Sequence, residues 1–147
     1  MGTVNYTRTS IYAGNQITVT WASLSTGSGS GDIGQAFPSS LDYGLGGWLF
    51  SDKSIHFVKR STGTIDTRVI IEGSNQSTEV DPTALTYATL SDPNGNGLQI
   101  PVNTSIIEGV LENCMFIRPR VSTVSSTSMA VDVHMLLTST RSARSGM

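Results

Sequence analysis

Residues 16–24, QITVTWASL, decide the fold class, because their side chains change character at every second position. Apolar residues take one set of alternate positions and small or polar residues the other: Ile17, Val19 and Trp21 against Thr18, Thr20 and Ala22. A period of two places successive side chains on opposite faces of an extended strand. The segment therefore predicts a β-strand with one face in a core and the other outside it.

The same pattern recurs along the chain. Its longest example is residues 128–138, SMAVDVHMLLT. Shorter strands are predicted at residues 54–59, 65–72, 85–90, 105–111 and 114–121, with 32–37 as an optional addition. Runs rich in Gly, Asn, Asp and Ser separate them, as in turns. This pattern predicts an all-β fold, a jelly-roll-like antiparallel β-sandwich of about eight strands with extended N- and C-terminal segments. An immunoglobulin-like sandwich is the alternative, although the Cys…Trp…Cys spacing of that fold is missing.

The strand pattern divides the chain into one domain and two ends. A length of 147 residues suits a single core. Residues 15–138 are predicted to form the single β-sandwich domain. Residues 1–14 lack clear alternation and are predicted to form an N-terminal arm, which includes the candidate contact residues Tyr6 and Arg8. Residues 139–147, STRSARSGM, are predicted to form a flexible C-terminal tail.

Residues 38–50 form an insert that is too apolar for an ordinary exposed loop. Tyr43, Trp48 and Phe50 stand there among glycines. Such side chains either fold over the end of the core or contact a partner. We therefore count all three as candidate protein-contact residues, and we predict a homo-oligomer, either a dimer or a trimer.

The charge balance argues against several classes of function. The chain has 9 Lys and Arg against 11 Asp and Glu, and charged residues make up only 14% of it. It lacks the basic excess of proteins that bind nucleic acids or membrane surfaces, so neither partner is predicted. The one cysteine, Cys114, allows no internal disulfide, which suits assembly in a reducing cytoplasm.

Two motifs resemble ligand-binding loops but lack the context that such loops require. Residues 29–34 match G-x-G-x-x-G, yet Pro38 follows too closely for the helix of a dinucleotide site. Residues 92–97 match the first half of a calcium loop, yet Asn103 occupies the position of the bidentate glutamate. Both motifs are predicted to be turns, so we expect no cofactor and no metal.

No catalytic residue is predicted either. His56 and His134 lie opposite the apolar side chains of their strands, and their spacing matches no zinc motif. Cys114 begins an apolar strand, where a free cysteine acts as a small hydrophobic residue. The carboxylates are dispersed, and the chain has no G-x-S-x-G nucleophile turn. We predict that the protein is not an enzyme.

The run Arg118-Pro119-Arg120 lies inside a predicted strand. Proline cannot donate to a sheet ladder, so the strand is predicted to be at an edge or bulged. The two arginines, two positions apart, then share one face and need carboxylate partners. A contact with a partner chain and an internal ion pair both stay open. Three glutamates are plausible internal partners: Glu72, Glu108 and Glu112.

Several stretches, taken in order, resemble a known family. They are VIIEGSN at 69–75, YATLSDPNGN at 87–96, IEGVLEN at 107–113 and IRPRV at 117–121, with VNYTR at 4–8 and ITVTW at 17–21. This set resembles the small virion proteins that decorate the capsids of tailed phages. Tyr87 stands where that family often has tryptophan. The insert at 41–50 and the tail at 139–147 are longer than in the family.

The resemblance implies a jelly-roll-like fold and no catalytic residues. It implies a capsid cement (decoration) protein on the outer capsid surface of the virion, which bridges and stabilises neighbouring major capsid proteins. In that setting we expect Arg118, Arg120, Arg141 and Arg144 to be candidate contacts, the last two through acidic groups on a capsid subunit.

A second hypothesis is a β-sandwich module of a head fibre or tail that binds glycans or a receptor. Aromatic side chains would then serve as stacking platforms for sugar rings. The candidates are Trp21, Tyr43, Trp48 and Tyr87.

Overall fold

The computed structural model describes residues 2–11, 16–25, 31–39, 42, 50–60, 68–76, 84–102, 104–122 and 130–139. The strands of these residues are β1 Thr3–Val4, β2 Tyr6–Ile11, β3 Gln16–Ser25, β4 Ile33–Gly34, β5 Asp52–Lys59, β6 Arg68–Ser74, β7 Ala88–Thr89, β8 Gln99–Pro101, β9 Ile106–Gly109, β10 Phe116–Val121 and β11 Ala130–Thr138.

The strands form two sheets. One sheet has five strands in the order β2-β3-β11-β5-β9, and all of its neighbouring pairs are antiparallel. The other is six-stranded, in the order β1-β4-β10-β6, with β7 and β8 both paired to the far side of β6. Only its β1–β4 pair is parallel. The inner faces of the two sheets bury a common core, so the predicted all-β sandwich is confirmed.

The order of pairing identifies the sandwich as a jelly roll. β3 pairs with β11, the last strand of the chain. The next strands pair in nested order: β4 with β10, β5 with β9, and β6 with both β7 and β8. The strands β3 to β6 alternate between the two sheets. Nested antiparallel pairs wrapped across two sheets define a jelly roll. The immunoglobulin-like alternative does not apply. In that fold the sheets ABED and CFG each contain strands that follow one another in the chain, whereas here β3 to β6 change sheet at every step.

Alternate side chains of both sheets fill the core. Trp21, Phe57 and Met135 of the five-stranded sheet have no exposed surface, and the same is true of Ile71 and Ile117 from the other sheet. Burying one such side chain stabilises the fold by roughly 1.5–3 kcal/mol. The alternate apolar side chains of the two sheets thus hold them face to face.

Residues 1–14, which we predicted to form an arm beside the sandwich, contribute two strands to it. β1 pairs with β4, and β2 pairs with β3 along its whole length, from Tyr6 opposite Trp21 to Ile11 opposite Gln16. An edge strand needs less apolar alternation than a central one, because it is covered on fewer sides. This explains why the sequence pattern is weak there.

Pro119 corrects another prediction, because its strand is neither at an edge nor bulged. β10 lies between β4 and β6, with Pro119 opposite Ile71. The backbone N–H groups of Ile117 and Val121 point away from β6, and by alternation the missing N–H of Pro119 faces the same way. On that side a Cβ on Gly34 would lie 2.6 Å from the proline ring. The short strand β4 and its glycine therefore accommodate a proline inside the sheet.

Candidate protein-contact surfaces

Two arginines share one buried carboxylate on the outer face of the six-stranded sheet. Arg118 Nε donates to Glu72 Oε1 at 2.7 Å, and Arg120 Nε donates to Glu72 Oε2 at 3.1 Å. The side chain of Glu72 is 6% exposed, that of Arg118 15% and that of Arg120 33%. Of the predicted alternatives, the internal ion pair is the one formed, and Glu72 is the partner. Two cations on one anion leave a net charge of one positive unit.

Tyr87 completes this group, which we call the Glu72 cluster: Glu72, Tyr87, Arg118 and Arg120. The guanidinium carbon of Arg118 lies 3.7 Å from the centroid of the Tyr87 ring, a cation–π contact. Trp21, another proposed sugar platform, is fully buried, and its Nε1 donates to the carbonyl oxygen of Gln35 at 2.8 Å. The two described aromatic candidates for glycan stacking are therefore engaged inside the fold.

Tyr6 and Arg8 hold the beginning of the insert rather than an open surface. Tyr6 Oη donates to Asp42 Oδ2 at 2.6 Å, and Arg8 Nε lies 3.2 Å from Asp42 Oδ1. The Tyr6 ring also packs edge-on against Trp21 and Phe37. Burial raises the pKa of Tyr6, and the hydrogen bond to Asp42 acts in the same direction. Both residues therefore stabilise the fold, whatever contact they make with a partner.

Phe50 also has a place inside the molecule. Its side chain is 2% exposed and belongs to the main core, so it does not form a contact surface on this chain. Of the two roles left open for the insert, Phe50 takes the first and covers the core. The other candidates, Tyr43, Trp48, Arg141 and Arg144, lie outside the described residues.

The outer face of the five-stranded sheet carries two cross-strand rows without Asp, Glu, Lys or Arg. The first row crosses β2, β3, β11, β5 and β9 as Thr7, Thr20, His134, His56 and Ile107. The second row crosses the same strands as Thr9, Thr18, Leu136, Ser54 and Gly109. We call the two rows together the neutral face. All of its residues are at least partly exposed.

Two histidines occupy the centre of the neutral face. His56 and His134 lie directly opposite each other on β5 and β11, with ring centroids 6.0 Å apart. His134 Nδ1 is hydrogen-bonded to Thr20 Oγ1 at 3.0 Å. The predicted position of both histidines, opposite the apolar side of their strands, is confirmed. Their ring nitrogens and the threonine hydroxyls offer hydrogen bonds without a fixed charge.

Two aliphatic side chains stand at the border of the histidine pair. Ile107 is 63% exposed and Leu136 is 37% exposed. With His56 and His134 they line a depression of about 250 Å³. The centres of protein interfaces lack charged residues and accept apolar anchors in pockets. The neutral face therefore has the composition of an interface centre.

The sequence reasoning selected no residue of the neutral face as a contact. Leu136 carried a usable signal, because it is an apolar residue at an outward position of an alternating strand. Ile106 and Ile107 carried another, since two adjacent strand residues point to opposite faces. The rows themselves depend on the register between strands, which alternation within one strand does not contain.

The loop of the calcium-like motif uses its carboxylate internally. Asp92 Oδ1 accepts the backbone N–H groups of Asn94 and Asn96, each at 2.9 Å. These hydrogen bonds lower the pKa of Asp92, and the bond from the backbone N–H of Asn96 has the largest effect. Gly95 has a φ of +86°, so the predicted turn is confirmed.

The other motif, at residues 29–34, lies partly within the described residues. Residues 33–34 of the Gly-rich motif form strand β4, not the start of a helix. Within the described ranges, no three His, Cys, Asp or Glu side chains are grouped so as to hold a metal ion.

No family model matches the sequence, and no curated protein shows significant similarity to it. In the part of the chain that the structure describes, no helix is long and apolar enough to cross a membrane. The function has to be inferred from surface geometry and from the ordered sequence motifs.

Proposed function

We propose that this chain is a structural virion protein, a cement protein that binds the outer surface of a tailed-phage capsid and bridges neighbouring major capsid proteins. The ordered motifs IEGSN, SDPNGN, VLEN and IRPRV suggest the family. The jelly-roll fold is compatible with it, since this fold is common among viral capsid domains.

The neutral face is the observation that supports the proposal most strongly. Its exposed Ile107 and Leu136 help to line a depression that can receive one apolar side chain. A sheet face that contacts only solvent usually carries charged residues. We infer that a capsid subunit packs on this face.

Bridging requires a second contact, and the Glu72 cluster supplies a candidate. Arg118 and Arg120 alternate with the core residues Ile117 and Val121, so the cluster lies on the outer side of the sandwich opposite the neutral face. Its net positive charge suits an acidic group on a second subunit. Two modest contacts made by one rigid domain strengthen each other through effective concentration.

The neutral face also leads to a mutational test. Ile107→Asp places a charge at the border of the depression, and we expect decoration of purified shells to weaken at least tenfold. Leu111→Asp is the matched control, because Leu111 is 56% exposed and lies outside both rows. Both variants should keep the wild-type melting temperature. Equal binding by both variants would remove the neutral face from the proposal.

Copy number in purified virions tests the function itself. A cement protein should be present in numbers comparable to the major capsid protein, as measured by quantitative mass spectrometry. A few copies per particle would instead favour a glycan- or receptor-binding module of a fibre or tail. We further propose a dimer or trimer, for which analytical ultracentrifugation at tens of micromolar is the direct measurement.

A further inference from the structure

Lys53 is a cationic residue that is buried inside the fold. It is 5% exposed and points inward from β5, on the same side as the core residues Ile55 and Phe57. Among the described residues, the other buried charged side chains, Glu72 and Asp132, each pair with arginine. No carboxylate among the described residues lies within ion-pair distance of Lys53. A buried ammonium without a counter-charge is costly, so burial disfavours the protonated form of Lys53.

The amine of Lys53 lies against a side-chain amide. Lys53 Nζ donates to Asn113 Oδ1 and, at 3.0 Å, to the carbonyl oxygen of Phe50. Asn113 belongs to the segment between β9 and β10, sixty positions away along the chain. This segment is held beside β5 by the backbone bond from Val110 N to Lys53 O at 3.0 Å. The nucleophilic nitrogen and the carboxamide are thus held together by the fold.

We propose that Lys53 and Asn113 form an intramolecular isopeptide bond, an amide cross-link between their side chains that the folded chain makes without a cofactor. The reaction is a transamidation. Lys53 Nζ attacks Asn113 Cγ, the new Nζ–Cγ bond forms, and the Cγ–Nδ2 bond breaks. One proton passes from Nζ to Nδ2, which leaves as ammonia, and no oxidant or reductant is needed. The remaining N–H of the product amide keeps the Phe50 carbonyl oxygen as its acceptor.

The electrostatics of the site favour this step. Burial lowers the pKa of Lys53, and the same cause raises the pKa of the neighbouring Cys114. The charges of Cys114, Asp52 and Glu112 act on the pKa of Lys53 in the opposite direction, with a smaller effect than burial.

The cross-link gives the fold a covalent tie between its sheets. Lys53 belongs to the five-stranded sheet, and Asn113 lies three positions before β10 of the six-stranded sheet. Closing so long a loop removes many conformations from the unfolded chain, as a disulfide does. This property would suit a protein that resists mechanical load, but the chemistry is independent of the capsid role.

Intact mass is the decisive measurement. Freshly purified full-length protein, denatured before injection, should weigh less than its sequence by the mass of one ammonia molecule. Protease digestion should yield a branched peptide that joins Lys53 to Asn113 and that tandem mass spectrometry can sequence. A full sequence mass, with Lys53 and Asn113 in separate linear peptides, would overturn the proposal.

Three variants separate this bond from other losses of ammonia. Lys53→Met and Asn113→Ala should each restore the unmodified mass. Asn-Gly pairs also lose ammonia through succinimides, so the double variant Asn94→Ala/Asn96→Ala is the control and should keep the mass deficit. If that control restores the mass and Asn113→Ala does not, the cross-link is wrong. Circular dichroism verifies that each variant folds.

Discussion

The Glu72 cluster and the neutral face, on the two outer sides of the sandwich, carry different kinds of polar group, charged in the first and uncharged in the second. The six-stranded sheet concentrates charge, with two guanidiniums on the nearly buried carboxylate of Glu72. The neutral face of the five-stranded sheet uses hydroxyls, imidazoles and two exposed aliphatic side chains. In this protein, charged side chains near the core stabilise the fold. Selecting candidate protein-contact residues by their charge therefore finds residues that stabilise the fold, such as Arg8 and Arg118.

The largest effect should come from removing the shared carboxylate. Glu72→Gln keeps the shape but leaves Arg118 and Arg120 without their counter-charge, and we expect a loss of about 3 kcal/mol in the free energy of unfolding. Urea denaturation monitored by tryptophan fluorescence measures it. Glu108→Gln, the same change on the partly exposed strand β9, should cost less than about 0.5 kcal/mol. Equal losses would mean that the cluster does not hold the sheet.

The two arginines should differ from each other. Arg118 is less exposed than Arg120 and also stacks on Tyr87. Arg118→Ala should therefore destabilise the protein by about 2 kcal/mol, and Arg120→Ala by less than about 1 kcal/mol. Thermal unfolding of both variants gives the order. The reverse order would show that exposure does not determine the strength of these ion pairs.

The neutral face should be tolerant by comparison. Thr20→Val removes the hydroxyl bonded to His134 Nδ1 but keeps the β-branched shape that suits a strand. We expect a change in the free energy of unfolding of about 0.5 kcal/mol, since a single partly exposed hydrogen bond is lost. The same denaturation assay measures it. A loss as large as that of Arg118→Ala would mean that this face, too, is needed for the fold.

The smallest effect should be at the exposed turn of Asp92, where backbone N–H groups replace arginine as the partners of a carboxylate. Hydrogen bonds led by that of Asn96 lower the pKa of Asp92 below its ordinary value of 3.8. The resulting stabilisation is present above the unfolded-state pKa and is lost as pH falls through the lower folded-state pKa. Asp92→Asn should therefore melt slightly below wild type at pH 7, and the difference should shrink below pH 3.8. A constant difference across that range would contradict this account.

Part of the architecture could be read from the residues themselves. Alternation predicted the long strands β3 and β11, and the Asp92 turn followed from Pro, Asn and Gly at adjacent positions. Strand β8 was not predicted. Of the residues 85–90, which were predicted to form a strand, only Ala88–Thr89 do so. Strands this short contain too few alternations for a period to be recognised.

The candidate contacts could be predicted only in part. The shared face of Arg118 and Arg120 followed from their spacing, and Glu72 was among the proposed partners. The neutral face was missed, since it joins residues from β2 to β9 that are far apart in the chain. The contact between Lys53 and Asn113 was missed for the same reason.

The residue pattern is sufficient to predict the fold class, the inward and outward sides of the long strands and the local turns. These properties depend on a residue and its near neighbours, through steric limits and the burial of alternate apolar side chains. Only the tertiary structure decided which strands are adjacent and in which register. Strand order and register depend on the summed packing of both sheets. Strand order places Pro119 in a central strand, and register gives Arg118 the partner Glu72. The same packing brings the segment that carries Asn113 to Lys53.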